Sequence, residues 1–358
     1  MNANRNSQTQ FQPLFPRLLQ FGIAYGDLVN ACTRATDWPS WAEALWQQAE
    51  AFESAAMVAD RDGHTVSAQE ARRKAVDYYH YAQLRLSESV AKQQLRDASR
   101  RNYSEYASAI QPPAIRIEVP FASGVLPGYQ RIFSCQAPCV VLIGGLDSAK
   151  EVELHYLAEV FLKRGNSVFY FDGPGQGELD DQPLVCAEFD AAVTAVTDHL
   201  RLETVGLFGV SFGGHLGCRA AAANKRIHAC ICLGGFFDGR VFIGASDLVK
   251  ATVRRRFGLE PADDLSRLEQ VVTLEPFRGR MKSPLLIVHG SEDHLVDLSQ
   301  VTAVREWSGG PTELWIVEGA EHVCTNRFSE YLPVIGDWMT DRLANATTAE
   351  RESHAEVR

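Results

Sequence analysis

A serine, an aspartate and a histidine, each just beyond an apolar run, are the residues of this 358-residue chain best placed to do chemistry. Ser211 lies in Gly209-Val210-Ser211-Phe212-Gly213, after the β-forming run from Val205 and before an Ala-rich helical pattern from Leu216 to Ala223. A strand that turns sharply into a helix forces the residue at its tip into a strained backbone. Small residues two positions to either side let the two elements approach. The new helix points its N-terminal N–H groups toward the exposed serine oxygen. A serine hydroxyl is a poor nucleophile at neutral pH and needs a general base held by a third group. Asp293 follows the strand-like run Pro284–Val288, and His322 follows Thr312–Val317 just before a final helix. Serine, acid and histidine in that order, each in a loop after a strand, fit a nucleophile-elbow sheet. Glu292, Asp297 and Glu321 are rival acids; His289, His294 and His215 are rival bases, each read as packed, turned elsewhere or structural.

Attack on a carbonyl also needs N–H donors for the oxyanion. The amide of Phe212, the residue after the serine, is expected to be one. The second is expected from the loop Gly144-Gly145-Leu146-Asp147-Ser148, whose two glycines let backbone approach a substrate; Leu146 or Asp147 supplies it. A carboxylate here opposes a developing negative charge unless it faces the substrate or is protonated. Asp147 therefore reads either as a substrate-binding group or as a helix N-cap ahead of Ala149. The stretch Asp172-Gly173-Pro174-Gly175-Gln176-Gly177 has closely spaced glycines but neither a P-loop Lys-Ser/Thr nor a dinucleotide register. It reads as a turn packed below the site, so no cofactor is expected.

The elements that must position these residues alternate. After a boundary at Gln111-Pro112-Pro113, a β-hairpin is expected from 114–121 and 128–133 around a Gly/Pro turn. Strands then follow at 139–143, 167–171, 205–210, 229–233, 284–288 and 312–317, separated by helices at about 149–163, 187–202 and 216–223. A last helix is expected from about Arg327 to Ala346. This is an α/β pattern with a mostly parallel sheet and helices on both faces. Between 236 and 282 the alternation breaks, where a lid-like insertion is expected. Residues 347–358 read as a disordered tail.

Residues from about Leu14 to Ile110 read as helical, with capping boxes at Ser40-Trp41-Ala42-Glu43 and Ser67-Ala68-Gln69-Glu70 and a third helix from about Glu88 to Tyr106. This segment, 1–112, is expected to be a cap or dimerisation domain. Its Trp38, Trp41 and Trp46 and the Tyr78–Tyr81 cluster read as core, with some free to roof a pocket.

A net charge of −10 argues against nucleic acid or an anionic membrane as partner, and no apolar run reaches membrane-spanning length. The polar start lacks a secretion-signal core, and the eight cysteines read as free or buried thiols in a reducing cytoplasm. Ten scattered histidines without His-Glu-x-x-His spacing give no metal site.

With the elbow, its partners, Gly144–Asp147 and Asp172–Gly177 in place, the chain resembles the α/β-hydrolase superfamily over about 113–346. More narrowly, the helical N-terminal segment and the stretch Gly144 to Glu151 make it similar to the group of dihydroxypseudooxynicotine hydrolase. That group includes the fermentation/respiration switch protein and fungal hydrolases that shorten polyketide pigment precursors. The resemblance implies a Ser211–Asp293–His322 triad, a site between core and helical cap, and often a homodimer. It also implies carbon–carbon hydrolysis of a ketone. The nicotine-pathway relative carries Glu in the oxyanion stretch where this chain has Asp147, one methylene shorter.

The expectation is thus a cofactor-free serine hydrolase cleaving a carbon–carbon bond beside the ketone of an acyl-aromatic, β-diketone or polyketide-like small molecule. The alternatives are a carboxylesterase or thioesterase, an acyltransferase or cyclase of a biosynthetic pathway, and a binding module built on the same fold.

Overall fold

The computed structural model describes residues 10–122 and 124–356, with side chains to residue 346. The expectations for the polar start at 1–9 and the last two residues of the tail lie outside the described residues. Chain contacts divide the protein into two compact units, 1–115 with 151–153, and 116–150 with 154–358.

The first unit is helical: Phe15–Gln20, Tyr25–Arg34, Trp38–Arg61, Thr65–Gln83 and Val90–Ala107. The long second pair starts earlier than the sequence signals indicate. Asp37, not Ser40, is the N-cap; it accepts from the Ser40 amide at 2.9 Å, while Ser40 Oγ accepts from the Asp37 amide at 3.1 Å. Aspartate caps as well as serine does, and Pro39 fits a first helical turn, so the true box lay three residues upstream. The next helix likewise opens at Thr65, with Ser67 inside it and no side-chain cap. Tyr78, Tyr79 and Tyr81 are buried, and each hydroxyl donates to a carboxylate: Asp27, Glu53 and Glu153. Buried phenols need such partners. Trp41 is buried against Phe11, while Trp38 and Trp46 are half-buried.

The second unit is built on eight strands: β1 Ile115–Phe121, β2 Gly124–Arg131, β3 Cys139–Ile143, β4 Ser167–Phe171, β5 Val205–Val210, β6 Ile227–Leu233, β7 Leu285–Gly290 and β8 Thr312–Val317. Their order across the sheet is β1-β2-β4-β3-β5-β6-β7-β8. β2 runs antiparallel to β4, and every pairing from β4 through β8 is parallel. Helices at 155–162, 186–199, 212–223, 298–307 and 328–356 accompany it. β3, β4 and β5 are buried at every position, as expected of parallel strands covered on both faces.

The hairpin differs from expectation: β2 begins at Gly124, inside the expected turn, and ends at Arg131. Gly128 is there for packing, since a Cβ would lie 2.4 Å from the Phe169 ring. The final helix continues past Ala346 to Glu356, because nothing from Thr347 to Glu356 breaks a helix. Most of the expected disordered tail is therefore helical. Between 236 and 282 the chain forms only short helices, the longest Asp247–Arg256, and Gln300 anchors its start by accepting from the amides of Phe237 and Asp238 at 2.9 Å each.

The chain leaves β3 for β4 on one side and returns to β5 on the other. That reversal opens a crevice at the carboxyl ends of β3 and β5, where open α/β sheets bind ligands. The loop after β3 and the turn after β5 meet there. Beneath them a fully buried Lys150 donates to Asp172 Oδ2 at 2.7 Å and Glu178 Oε1 at 2.6 Å, and Arg116 donates to both oxygens of Glu178. Burial alone would raise the Glu178 carboxyl, but Arg116 and Lys150 hold it at about 2.

Removing one member of a buried ion network strands the rest, so Lys150→Met should lower stability by about 3–5 kcal/mol in urea unfolding at neutral pH. A loss below about 1 kcal/mol would show that the network is solvated. Because the folded-state pKa of Glu178 lies below its ordinary value, its contribution is present above the ordinary carboxylate range and fades as pH falls toward 2. Glu178→Gln should flatten that part of the acid-unfolding curve.

Candidate active site

Ser211 occupies the tip of the turn between β5 and the helix Phe212–Ala223, with φ +57° and ψ −120°. The glycines around it are there for contact. A Cβ on Gly209 would lie 2.1 Å from the Gly213 carbonyl oxygen, and one on Gly213 would lie 2.3 Å from that of Ile143. No side chain fits at either position. The Ser211 amide donates to Leu233 O at 2.7 Å, tying the turn to β6.

The Ser211 hydroxyl lies 2.8 Å from His322 Nε2, and His322 Nδ1 lies 2.8 Å from Asp293 Oδ2. Those two distances define one tautomer: Nδ1–H donates to the carboxylate and Nε2 accepts from the hydroxyl. The Asp293 side chain is fully buried, and its Oδ1 accepts from the amides of Leu295 and Val296 at 2.9 Å each. Burial would raise this carboxyl, but the hydrogen bond and charge of His322 and the Val296 amide hold it below the usual range. His322 keeps a quarter of its side chain exposed, so its imidazole reaches both the acid and the crevice.

The loops that carry acid and base interlock. A Cβ on Gly290 would meet the Ala320 carbonyl oxygen at 2.2 Å, and the Glu292 amide donates to that same oxygen at 2.9 Å. Asn326 fastens the histidine loop, accepting from the Glu321 amide and donating to Gly319 O, both at 2.9 Å. Val323 and Cys324, directly after His322, both have positive φ, at 51° and 54°. Neither residue favours that conformation, and such strain is held only where its surroundings over-determine it.

The rivals fall away by position. Glu292, Glu321 and His294 are exposed, and Asp297 caps the helix Leu298–Trp307. His215 is fully buried, with Nδ1 donating to Phe236 O at 3.1 Å, and burial pushes its pKa down to about 3. His289 is buried with Nδ1 3.6 Å from Asp293 Oδ2, too far for a hydrogen bond, and the serine hydroxyl bonds His322 instead.

On the opposite side, Phe212 is the first residue of its helix, so its amide has no carbonyl one turn back to bond. The loop after β3 runs beside the serine: a Cβ on Gly145 would stand 3.3 Å from Ser211 Cβ. Leu146 and Asp147 form a half-buried turn there, with Leu146 against the core. The Phe212 ring packs on Phe236, Phe242 and Phe257, so the elbow helix and the 236–282 stretch share one buried aromatic cluster. All eight cysteines are free thiols, and no helix among the described residues is long and apolar enough to cross a membrane.

Fold, switch-point crevice and serine elbow together define an α/β hydrolase. The family model described as esterase FrsA-like matches residues 33–251, and that of the prolyl oligopeptidase family matches 163–342. The chain belongs to the FrsA-like group of α/β hydrolases, and it is an enzyme of that superfamily. It is 30% identical over 341 residues to 2,6-dihydropseudooxynicotine hydrolase of Paenarthrobacter nicotinovorans, covering 91% of each chain. It is 26% identical to 20-hydroxy-prefusarin hydrolase FUS2 of Gibberella moniliformis over 84% of this chain and 86% of that one. The crystal structure of 2,6-dihydroxy-pseudo-oxynicotine hydrolase superposes with a TM-score of 0.83 at 27% identity, covering 93% of this chain and 96% of that one.

Sequence reasoning missed Ser148, Gln176 and Asn326, whose side chains hold the site's loops through backbone contacts. Gly-rich turns surround Ser148 and Gln176 without marking either residue, and Asn326 lies in no such turn.

Two glycines of the elbow helix give predictions of opposite sign. Gly213→Ala should destabilise by at least about 1–3 kcal/mol through overpacking. Gly217→Ala meets nothing closer than 3.9 Å and should stabilise by about 0.5–1 kcal/mol through helix propensity. Thermal unfolding of the two variants against wild type measures both signs.

Proposed function

We propose that the protein hydrolyses a carbon–carbon bond next to a ketone in a small acyl-aromatic, β-diketone or polyketide-like molecule, with Ser211, His322 and Asp293 as its triad. The observation that carries the reading is the unbroken line of hydrogen bonds from Ser211 through His322 to a buried Asp293. The likeness to 2,6-dihydropseudooxynicotine hydrolase over nine-tenths of both chains supports the ketone as substrate, together with the carbon–carbon chemistry the sequence resemblance implies.

Ser211 Oγ attacks the ketone carbon as its proton passes to His322 Nε2. The negative charge on the former carbonyl oxygen is received by the amide of Phe212 and one from the loop after β3, at Leu146 or Asp147. Collapse of this intermediate restores the C=O and breaks the carbon–carbon bond. The electron pair goes to the leaving carbon, stabilised as an enol or an electron-rich ring carbon, and His322 gives it the proton. Water then attacks the acyl-serine and passes a proton to His322, which returns it to Ser211 Oγ as the acyl bond breaks and the carboxylic acid leaves. One water is consumed, and the products are an acid and a C–H compound. Asp293 stays ionised throughout and holds the imidazole in the tautomer that accepts at Nε2.

The same reading takes residues 1–112 as a cap or dimerisation domain and 236–282 as a lid. The enzyme works as a cytoplasmic homodimer on a small molecule, without nucleic acid, membrane, cofactor or metal. Asp147 is assigned to a hydroxyl of the substrate or to the leaving group. A carboxylesterase or thioesterase uses the same triad, and the esterase description of the matching family favours it as the second reading.

Mass-spectrometric product analysis separates the two. Wild type, Ser211→Ala, Asp293→Asn and Asp147→Ala are each given a simple aryl ester and an acylated polyhydroxy-aromatic ketone. We expect Ser211-dependent cleavage of the ketone, a fall of about 10⁴-fold in kcat for Asp293→Asn, and a selective loss of ketone cleavage in Asp147→Ala. Ester cleavage without ketone cleavage moves the assignment to an esterase.

A further inference from the structure

We infer that Gln176 is a positioning residue for the oxyanion loop, and that through it the Leu146 amide, rather than that of Asp147, is the second oxyanion donor. The inference rests on the serine-hydrolase reading above.

Gln176 lies in the Gly-rich turn after β4 and is 2% exposed. Its side-chain amide donates to two successive carbonyls of the loop beside Ser211, Gly144 O at 2.7 Å and Gly145 O at 3.2 Å. Its own oxygen accepts from the Gly173 amide at 3.4 Å. In a trans peptide the C=O and the N–H of the same unit point in opposite directions, so fixing these oxygens fixes the two N–H groups on the far side. The first, of Gly145, is already used: it donates to Ser148 Oγ at 3.1 Å. The second belongs to Leu146, and among the described residues no group accepts from it.

The loop needs this restraint because it contains Gly144-Gly145. Glycine turns its peptide planes at little steric cost. A turned 145–146 plane would aim a carbonyl oxygen, instead of an N–H, toward the oxyanion.

The turn that carries Gln176 has little freedom of its own. Asp172 Oδ2 accepts from Lys150 Nζ and, at 3.0 Å, from the Glu178 amide. Gly175 and Gly177 have positive φ and backbone packed so closely that a Cβ would lie 2.6 Å from Leu184 Cα and 2.1 Å from the Asp172 carboxylate. The buried Lys150–Asp172–Glu178 network therefore acts on the loop through Gln176, one step removed from the chemistry.

Two variants of similar size test this, with the full chain, an aryl ester as substrate and an aryl trifluoromethyl ketone as a probe whose serine adduct carries an oxyanion. Gln176→Met cannot donate. Its kcat and its affinity for the trifluoromethyl ketone should fall together, about 10–100-fold, short of the loss of a whole donor, with KM barely moved. Gln176→Glu faces two carbonyls with a buried carboxyl, which favours the protonated form, and that form can donate to one of them. Its kcat relative to wild type should therefore recover as pH is lowered, whereas the ratio for Gln176→Met stays flat. Wild-type kcat and inhibitor affinity in a folded Gln176→Met protein would overturn the inference. So would a lower kcat with unchanged inhibitor affinity, or a Gln176→Glu ratio that ignores pH. If Gln176→Met does not fold, the pH ratio of Gln176→Glu decides alone. Failure of the underlying reading registers separately, as ester turnover that survives Ser211→Ala.

Discussion

Backbone packed directly on backbone is the constraint on which the carboxyl end of this sheet depends. Strand β5 turns into its helix so tightly that Gly209 touches the Gly213 carbonyl, and Gly213 touches the end of β3. A non-glycine residue, Ser211, is left at φ +57°. Such a conformation costs on the order of 1–3 kcal/mol. It persists because the helix behind it is buried from Phe212 to Ala221 and the serine amide is tied to β6. The same closeness brings the loop after β3 against Ser211. One packing contact thus sets both the backbone of Ser211 and its distance from the loop after β3.

Charge is the second constraint. Two buried acidic centres flank the crevice, and each is fully partnered. Asp293 takes a histidine and two amides, while Asp172 and Glu178 share Lys150. A buried carboxylate is tolerated only with such partners. The first centre holds a histidine in one tautomer, and the second holds a glycine-rich turn in one shape. The overall charge of −10 belongs mostly to the surface and has no part in either.

Much of this was legible in the sequence. Strands β3, β4 and β8 have the bounds the sequence pattern indicated, and the elbow, acid and histidine stand in the loops their order indicated. Local signals failed where two residue types do the same job. Asp37 caps the helix that Ser40 seemed to open, and β2 begins at Gly124 where a turn was expected. The helix Leu298–Trp307 was overlooked because its cap, Asp297, had been weighed only as a rival acid. Gln176 and Asn326 could not be found from sequence at all. Gln176 bonds main-chain atoms of a loop distant in the chain, and a glutamine in a Gly-rich turn looks like any polar loop residue; Asn326 bonds main-chain atoms of its own loop, whose shape the sequence does not indicate. The strain at Val323 and Cys324 was equally invisible, since neither residue type advertises a positive φ.

If a ketone's acyl group is carried on Ser211, that group partitions between any two acceptors that reach it. The acylated polyhydroxy-aromatic ketone is turned over in aqueous methanol, and the acyl fragment is recovered as acid and as methyl ester. An acyl-serine predicts methyl ester beside the acid, in a ratio that rises in proportion to methanol, and neither product with Ser211→Ala. Ketone cleavage that yields the acid alone at every methanol concentration, or that continues in Ser211→Ala, would contradict the account.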